Sequence, residues 1–157
     1  MPMAGFNFRW AQRTDYNALG EVMFDAVRTG PSCYRSDQRK AWMPEPRQGS
    51  QWTQRLAGQH VILVELGGQV VGFMSLTSSG YVDFAYIRPE NQRQGLFRCL
   101  YREIETKATQ LQFSELTTHA SLMARPAFEA VGWHVIKSET VEINGVHLER
   151  FEMSKTI

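Results

Sequence analysis

Short runs of β-branched and aromatic residues, several with alternating apolar and polar positions, recur along the chain and predict strands. Gly67-Gly68 and Asn144-Gly145 separate pairs of these runs, which is typical of hairpins. The predicted strands are residues 6–12, 60–65, 69–76, 81–87, 113–119, 133–143 and 146–153.

Apolar residues at helical spacing predict helices between some of these strands. Thr14 or Asp15 can cap the first helix, and Gly30-Pro31 ends it. The other predicted helices are residues 36–42, 51–57, 96–109 and 124–131. Because a helix connects strands 81–87 and 113–119, we expect those two strands to be parallel, with a right-handed crossover. The pattern indicates one mixed α/β domain spanning residues 1–157.

Charge and composition exclude several classes of function. Basic and acidic residues nearly balance, with 17 Lys and Arg against 16 Asp and Glu. We therefore expect no nucleic-acid or membrane partner, and no run reaches the roughly 18 apolar residues of a spanning helix. The N-terminus lacks the pattern of a secretory signal. Cys33 and Cys99 are too few for a disulfide framework or a metal site, so we expect a cytoplasmic protein with reduced thiols and no metal.

The junction after strand 81–87 has the features of an anion site. Pro89 ends the strand, a polar turn runs to Gly95, and a helix begins at Leu96. The first N–H groups of a helix have no internal acceptor, and the helix dipole places partial positive charge there. The sequence therefore predicts a phosphate-binding helix N-terminus.

The spacing in this turn resembles a known signature. Residues 92–97, QRQGLF, resemble the Gln/Arg-x-x-Gly-x-Gly/Ala motif of the GNAT superfamily of acyl-CoA-dependent N-acyltransferases, and residues 128–133, FEAVGW, look like its Tyr-Glu-x-x-Gly-Phe. The resemblance covers the chain from end to end. It implies the GNAT fold, with order β-α-α-β-β-β-α-β-α-β-β and a central mixed sheet splayed between the fourth and fifth strands.

The resemblance also implies acetyl-CoA as co-substrate, lying in the cleft between those two strands. Backbone groups of residues 85–87 would hold the pantetheine arm as an added strand does. The N–H groups of residues 92–97 would hold the pyrophosphate, with Arg93 and Arg98 as charged helpers. The implied cofactor-binding residues are Ala85, Tyr86, Ile87, Gln92, Arg93, Gln94, Gly95, Leu96, Phe97, Arg98, Ser121 and Phe128.

Two departures from the family pattern bear on these expectations. Phe97 replaces the last small residue of the signature, so its ring must turn away from the phosphate or the cradle must be shallower. The family often has Asn, Ala and Tyr where this chain has Ser121, Ala124 and Phe128, and the tyrosine reprotonates the CoA thiolate. Phe128 has no proton to donate, so Ser121 is the candidate substitute. Because thiol pKa values lie at about 8.5, lack of the usual acid should slow the reaction rather than abolish it.

An ammonium must lose a proton before it can attack a thioester. Asp83 is the first candidate for the base, since it shares a strand face with Tyr81 and Ala85. A hydrogen-bonded strand residue is the alternative interpretation of Asp83. Glu65 and His119 are weaker candidates at strand ends.

The acceptor site is expected in the irregular segment before residue 60, which forms one wall of that site in the resembled family. Tyr34 and Trp42 are candidate acceptor-binding residues, as is Tyr81 on the face of Asp83; packing onto the sheet is the alternative interpretation of the segment's aromatic residues. Residues 34–44, YRSDQRKAWMP, look like a segment of a bacterial GNAT subgroup with poorly defined acceptors.

These observations predict an N-acetyltransferase that moves an acetyl group from acetyl-CoA to a primary amine by direct attack. The acceptor stays open among small amines, antibiotics, peptide N-termini and lysine side chains, and the oligomeric state is open, a homodimer included. A non-catalytic acyl-CoA-binding sensor or partner module is the alternative. A purely structural domain is a third interpretation, if Phe97 blocks the cradle.

Overall fold

The computed structural model describes residues 4–157; residues 1–3 of the predicted domain lie outside this range. Seven strands form one sheet: β1 (Phe6–Trp10), β2 (His60–Leu66), β3 (Gln69–Leu76), β4 (Tyr81–Ile87), β5 (Glu115–Ser121), β6 (His134–Ile143) and β7 (Val146–Thr156). Five α-helices accompany them: α1 (Tyr16–Thr29), α2 (Ser36–Trp42), α3 (Ser50–Ala57), α4 (Leu96–Gln110) and α5 (Arg125–Ala130). Among the described residues, no helix combines the length and apolarity needed to cross a bilayer.

The sheet has the spatial order β1-β2-β3-β4-β5-β7-β6. β4 and β5 run parallel, and the other neighbouring pairs are antiparallel. This arrangement confirms the expected mixed α/β class and GNAT fold. β5 begins two residues later than the sequence pattern predicts. Three helices connect β1 to β2, as the helical spacing predicts, where the family order has two.

The central strands are buried on both faces, which explains why β2 and β3 appear in the sequence as nearly continuous apolar runs. One face packs against α4, whose Leu100 and Ile104 are fully buried. The opposite face packs against α1 and α3 through Leu19 and Leu56. The two hydrophobic layers hold the sheet rigid from both sides, so the edges of β4 and β5 have fixed positions.

β4 and β5 separate shortly after they begin. They pair only at Tyr81 with Thr117 and at Val82 with Thr118, where the Thr118 hydroxyl donates to the Val82 carbonyl at 2.7 Å. Beyond this point β4 stays paired to β3, and β5 stays paired to β7 along its whole length. Each strand is therefore held by its outer neighbour, and a cleft opens between them, as the family order implies.

An ion pair fixes the first strand to the start of α1. Arg9 on β1 donates to both carboxylate oxygens of Asp15 at 2.8 and 2.9 Å, and the Gln12 N–H donates to the same carboxylate at 2.7 Å. The Arg9 hydrogen bonds lower the pKa of Asp15, with the backbone bond helping against the opposing effect of burial. The pair therefore stabilises the fold most where Asp15 is ionised.

We expect Asp15→Asn to lower the free energy of unfolding by about 1 to 2 kcal/mol at neutral pH, the lower part of the roughly 1.5 to 3 kcal/mol for hydrogen bonds to a charged group, because the Arg9 side chain is partly exposed. Because the pKa of Asp15 is lower in the folded than in the unfolded chain, this contribution is present above the ordinary carboxyl range. It is lost as the pH falls through the lowered value, so the two proteins should converge in acid. Urea unfolding at several pH values measures the difference.

Asp37→Asn is the matched control, because its ion pair with Arg35 is exposed on both sides. We expect little change in stability for this variant. Equal losses for both variants, or a loss for Asp15→Asn that persists in acid, would contradict the assignment of stability to the ionised Asp15.

Candidate active site

The edge of β4 presents free backbone groups to the cleft. The N–H groups of Phe84 and Arg88 donate towards β3, at 3.1 and 2.8 Å. Because backbone groups alternate in direction along a strand, those of Ala85 and Ile87 face the cleft. Tyr86 directs its backbone towards β3, so its contribution to the cleft is its ring. Of the three residues expected to offer backbone groups, Ala85 and Ile87 therefore have the suitable orientation. The Ile87 carbonyl already accepts from the Gln92 side-chain amide at 3.0 Å, so Ile87 offers its N–H.

The turn before α4 forms a concentration of unpaired N–H groups. No hydrogen-bond acceptor is found among residues 4–157 for the N–H groups of residues 93–98, and the first helical bond joins the Cys99 N–H to the Gly95 carbonyl at 3.2 Å. Arg93 and Gly95 have φ values of 62° and 83°, so the turn curves as anion-binding backbone nests do. A Cβ at Gly95 would meet no atom within 4 Å, which leaves the concave side of the turn open to a ligand.

A cavity of about 520 Å³ extends from this turn along the cleft. Its lining includes Ala85, Tyr86, Ile87, Gln92, Arg93, Gly95, Leu96, Phe97 and Ser121, all of them expected cofactor-binding residues. Three other expected residues do not line it: Gln94 is exposed on the turn, Arg98 is exposed on α4, and Phe128 is buried. α2, α5 and the segment before α2 supply much of the remaining lining, with Trp42, Pro31, Ser32, Ala124, Pro126 and Ala127.

The two aromatic departures from the family signature pack against each other. The rings of Phe97 and Phe128 meet edge to face, with centroids 5.1 Å apart, and Phe128 packs in the same way on Trp133 at 5.0 Å. Phe128 is 2% exposed, so it anchors the Phe97 ring to the core. This contact holds the Phe97 ring beside the cradle, and the open side of the turn at Gly95 stays clear.

A second cavity of about 230 Å³ lies beside the first. The two share Trp42, Tyr86 and Ser121 in their linings, so they meet at these residues. Aromatic rings from α2, β4 and the segment before α2 form part of the second cavity, and polar or charged side chains from β4, β5, α3, β7 and the loop before α3 form another part. Apolar residues of α1, β6 and β7 complete the lining: Met23, Val141, Ile143 and Leu148. The expected acceptor residues Tyr34, Trp42 and Tyr81 all line it.

Tyr34 ties the walls of the second cavity together. Its hydroxyl donates to the Glu149 carbonyl on β7 at 2.6 Å and accepts from the Leu122 N–H, just after β5, at 2.9 Å. Its ring meets that of Trp42 edge to face at 5.7 Å. Burial raises the pKa of the Tyr34 phenol, so the hydroxyl stays protonated and keeps both bonds.

Asp83 lines the second cavity as a member of an ion pair. One of its oxygens accepts from Arg55 at 2.7 Å, and the other accepts from Arg55 at 2.9 Å and from Gln59 at 2.7 Å. The Arg55 guanidinium also lies over the Phe84 ring, 4.6 Å from its centroid. α3 thus clamps the carboxylate in a fixed orientation.

His119 and Tyr81 form a hydrogen-bonded pair across the start of the cleft. The Tyr81 hydroxyl lies 2.7 Å from the imidazole Nδ1, and the Nε2 lies 3.7 Å from a carboxylate oxygen of Glu139. Burial is the main reason that the pKa of Tyr81 is raised, so the phenol is protonated, and it donates to Nδ1 in the tautomer whose Nδ1 carries no proton. Arg150 in turn donates to the other Glu139 oxygen at 2.9 Å. The structure therefore places a tyrosine, a histidine and a carboxylate in a row, each beside the next.

Ser121 stands at the boundary between the two cavities. Its hydroxyl oxygen accepts from the Ala124 N–H at 3.0 Å, so it helps to begin α5. Because Ser121 lines both cavities, a ligand in either cavity would lie beside it. Glu65 lies far from this point in the sheet, on β2, where it bonds to Asn7 and Arg9 of β1.

Several lining residues had no recognisable signal in the sequence. Arg47 lies in an irregular loop, Arg55 on a short helix and Arg150 on the closing hairpin, and all three line the second cavity. Each of them is more than 30 residues along the chain from the signature turn at residues 92–97. A pattern read along the chain does not show that these arginines meet.

Comparison with known proteins agrees with the geometry. A family model described as an acetyltransferase (GNAT) domain matches residues 32–156. The uncharacterized N-acetyltransferase YafP of Escherichia coli (strain K12) is 30% identical over 152 residues, which is 96% of either chain. A GCN5-related N-acetyltransferase (aminotransferase, class-II) from Rhodopseudomonas palustris has a TM-score of 0.91 at 25% identity, covering 100% of this chain and 99% of the other.

A phosphinothricin acetyltransferase from Sinorhizobium meliloti, solved in complex with acetyl-CoA, has the same fold. Its TM-score is 0.74 at 17% identity, with 98% of this chain and 89% of the other covered. The family model alone spans most of the 157 residues. The chain therefore belongs to the GNAT family and is an acetyl-CoA-dependent acetyltransferase.

Proposed function

We propose that this acetyltransferase moves the acetyl group of acetyl-CoA directly to the primary amine of a small acceptor. The observation that carries the proposal is the junction of the two cavities at Tyr86 and Ser121. One cavity begins at unpaired N–H groups suited to phosphates, and the other contains groups able to take a proton from an ammonium. Two ligands placed in them would meet at one point, which is the requirement for direct transfer.

The chain's own groups fit acetyl-CoA at the first cavity. The open side of Gly95 and the N–H groups of residues 93–98 suit a pyrophosphate, and the cleft-facing backbone of Ala85 and Ile87 suits a pantetheine arm. Acetyl-CoA would supply the activated thioester. A cleft-facing backbone N–H of β4 would donate to the thioester oxygen as negative charge develops there.

For the base, we assign proton removal to the Tyr81–His119 pair. Tyr81 accepts a proton from the ammonium as it passes its own proton to Nδ1 of His119. Glu139, 3.7 Å from Nε2, then stabilises the charged imidazole. Asp83 remains the alternative base. We rank it second because both of its oxygens already accept hydrogen bonds from Arg55 or Gln59, so neither oxygen is free to meet the ammonium of the acceptor.

For the leaving thiolate, we assign Ser121 as the proton donor. Phe128 is buried away from both cavities, so it takes no part at this step. The Ser121 hydroxyl oxygen is held by the Ala124 N–H, which leaves its proton free to point into the cleft. A hydroxyl is a weak acid, but the thiolate needs little help, since thiol pKa values lie at about 8.5.

The remaining expectations stand as part of the proposal. A small-molecule or peptide amine fits the second cavity, and the near balance of charge gives no reason to add a nucleic-acid partner. We propose a cytoplasmic, single-domain enzyme in which no metal takes part.

Thiol release from acetyl-CoA, followed with a panel of primary amines, tests the proposed function. Amine-dependent release well above the rate without protein is the expected result. Acetyl-CoA binding without such release for any amine would contradict the proposal and favour the non-catalytic sensor.

We expect Gly95→Glu to weaken acetyl-CoA binding by more than tenfold, because the new carboxylate would lie on the open side of the phosphate cradle and repel the ligand. Isothermal titration calorimetry measures the affinity. Gly68→Glu is the matched control, since Gly68 has a φ of 81° against 83° for Gly95 and also faces open space. Both variants carry the same backbone strain, so equal affinities in the two would show that the pyrophosphate lies elsewhere.

We expect His119→Gln to lower kcat/KM by roughly a hundredfold near neutral pH, a typical effect of losing a general base. The deficit should shrink as the pH rises, because more of the acceptor amine is then already unprotonated. Tyr81→Phe should share both effects, since it breaks the path to His119. The measurement is kcat/KM against pH with a fixed acceptor.

The variant Asp83→Asn tests whether Asp83, rather than the Tyr81–His119 pair, is the general base. It should lower activity less than His119→Gln, without the same recovery at high pH, because it disturbs the Arg55 clamp rather than proton transfer. A larger loss in Asp83→Asn, with that recovery, would reverse the assignment.

We expect Ser121→Ala to lower kcat by less than the roughly hundredfold typical of a general acid. The deficit should fade as the pH rises past the thiol pKa of about 8.5, where the leaving group no longer needs a proton. Ser121→Thr keeps the hydroxyl and serves as the control. A deficit that is constant with pH would indicate that Ser121 acts only through its bond to Ala124.

A further inference from the structure

The second cavity contains three arginines, and two of them are neutralised within the chain. Arg55 is bound by Asp83 at 2.7 and 2.9 Å, and Arg150 donates twice to Glu139, at 3.1 and 2.9 Å. No carboxylate among residues 4–157 lies within 4.0 Å of the guanidinium of Arg47. One positive charge of the cavity therefore has no counter-charge within ion-pair distance among these residues.

The other carboxylates at this cavity do not supply that counter-charge. Asp83 is occupied by Arg55 and Gln59, and Glu149 has an exposed side chain that forms no ion pair with Arg47 among the described residues. Burial is the main cause, and the neighbouring Arg55 charge the second, of a lowered pKa for Arg47. The positive charge of Arg47 is therefore less favourable here than in water. An anion beside Arg47 would stabilise that charge.

Arg47 is held in place on its inner side. Its guanidinium lies over the Trp52 ring, 5.9 Å from the centroid, and the indole N–H of Trp52 donates to the Tyr16 carbonyl at 2.7 Å. Its own carbonyl packs against Gly20 of α1 so closely that a Cβ there would lie 2.0 Å away. The side chain therefore starts from a fixed backbone and a fixed ring, as a binding group requires.

Arg47 belongs to the acceptor side of the cleft. It lines the second cavity and not the first, whose phosphate cradle lies at the start of α4. Its charge is therefore placed to meet the acceptor rather than the phosphates of acetyl-CoA.

We propose that the acceptor is a small primary amine that also carries a carboxylate, of the size of an amino acid, and that Arg47 binds this carboxylate. This inference rests on the proposed function. A guanidinium binds a carboxylate through two parallel hydrogen bonds and so fixes the acceptor's orientation as well as its position. With the carboxylate at Arg47, the amine of the same molecule reaches the junction at Tyr86 and Ser121, and the products are CoA and the N-acetyl acid.

The volume of the cavity sets the size of this acceptor. Its 230 Å³ is below the roughly 300 to 1,000 Å³ of pockets that enclose drug-sized ligands. Aromatic rings of Tyr34, Trp42, Phe84 and Tyr86 line it beside the charged groups, which suits a molecule with an apolar part.

The test compares free amino acids with their amides and with the corresponding decarboxylated amines, using thiol release from acetyl-CoA. We expect the acids with the best turnover to exceed their two counterparts without a carboxylate roughly ten- to a hundredfold in kcat/KM, the range for a hydrogen-bonded charge. Arg47→Gln should remove this preference by raising KM for the acids, and Arg47→Lys should restore part of it.

Arg102→Gln is the control, because Arg102 is an exposed arginine on α4 that lines neither cavity. It should keep the full preference for acids. Thermal unfolding of each variant separates loss of fold from loss of binding.

A binding measurement separates this inference from the proposed function. Trp42 and Trp52 lie beside the site, so their fluorescence should report binding of N-acetyl amino acids, the products, without turnover. We expect the acids to bind more tightly than the N-acetyl amides in the parent protein and not in Arg47→Gln.

The outcomes are distinct. Amides and decarboxylated amines acetylated as well as the acids would overturn the carboxylate inference and leave the transferase standing. Carboxylate- and Arg47-dependent binding without turnover of any amine would support the anion site and overturn the proposed function. No preference for the carboxylate in either measurement overturns the inference.

Discussion

The cleft of this structure exists because β4 and β5 stop pairing with each other while both strands continue. A strand edge inside a domain must satisfy its N–H and C=O groups, and leaving them unpaired is costly. The pairing stops after Val82 and Thr118, yet both strands continue. β3 and β7 hold the outer edges, so beyond this point the inner edges keep strand geometry without pairing to each other. The Ile87 carbonyl is an exception to the free groups, since it accepts from the Gln92 side-chain amide at 3.0 Å. That cost is offset when an extended ligand takes the place of the missing strand pairing.

The same principle applies at the end of β4. The turn into α4 adds unpaired N–H groups from residues 93–98 to the unpaired edge of Ala85 and Ile87. Positive φ values at Arg93 and Gly95 aim these donors to one side. An extended arm ending in phosphates satisfies both sets at once, and the helix dipole favours its charge. The backbone groups without partners run continuously from β4 to the start of α4, so they suit a cofactor with an extended arm that ends in phosphates.

The turn that carries the N–H donors could be predicted from sequence, because its groups are local. Gln92 to Phe97 form one turn between a strong strand pattern and a strong helix pattern, and the resemblance to the family motif adds the ligand that the pattern by itself does not give. The acceptor side could not be predicted to the same extent. Arg47, Arg55 and Arg150 come from three segments, and only the packed fold brings them to one cavity. His119 was a weak candidate because the sequence does not show its hydrogen bond to Tyr81.

The residues that depart from the family pattern illustrate the same limit. Considered separately in the sequence, Phe97 crowds the phosphate turn and Phe128 lacks the expected hydroxyl. In the fold they form one contact, with centroids 5.1 Å apart, so the aromatic side chain at each position accounts for the packing of the other. Phe128 also packs on Trp133, with centroids 5.0 Å apart, and it lines neither cavity. Phe128 thus contributes core packing where the family pattern has a tyrosine hydroxyl that donates a proton. Without that donor, transfer would depend more on how the cleft orients the two ligands.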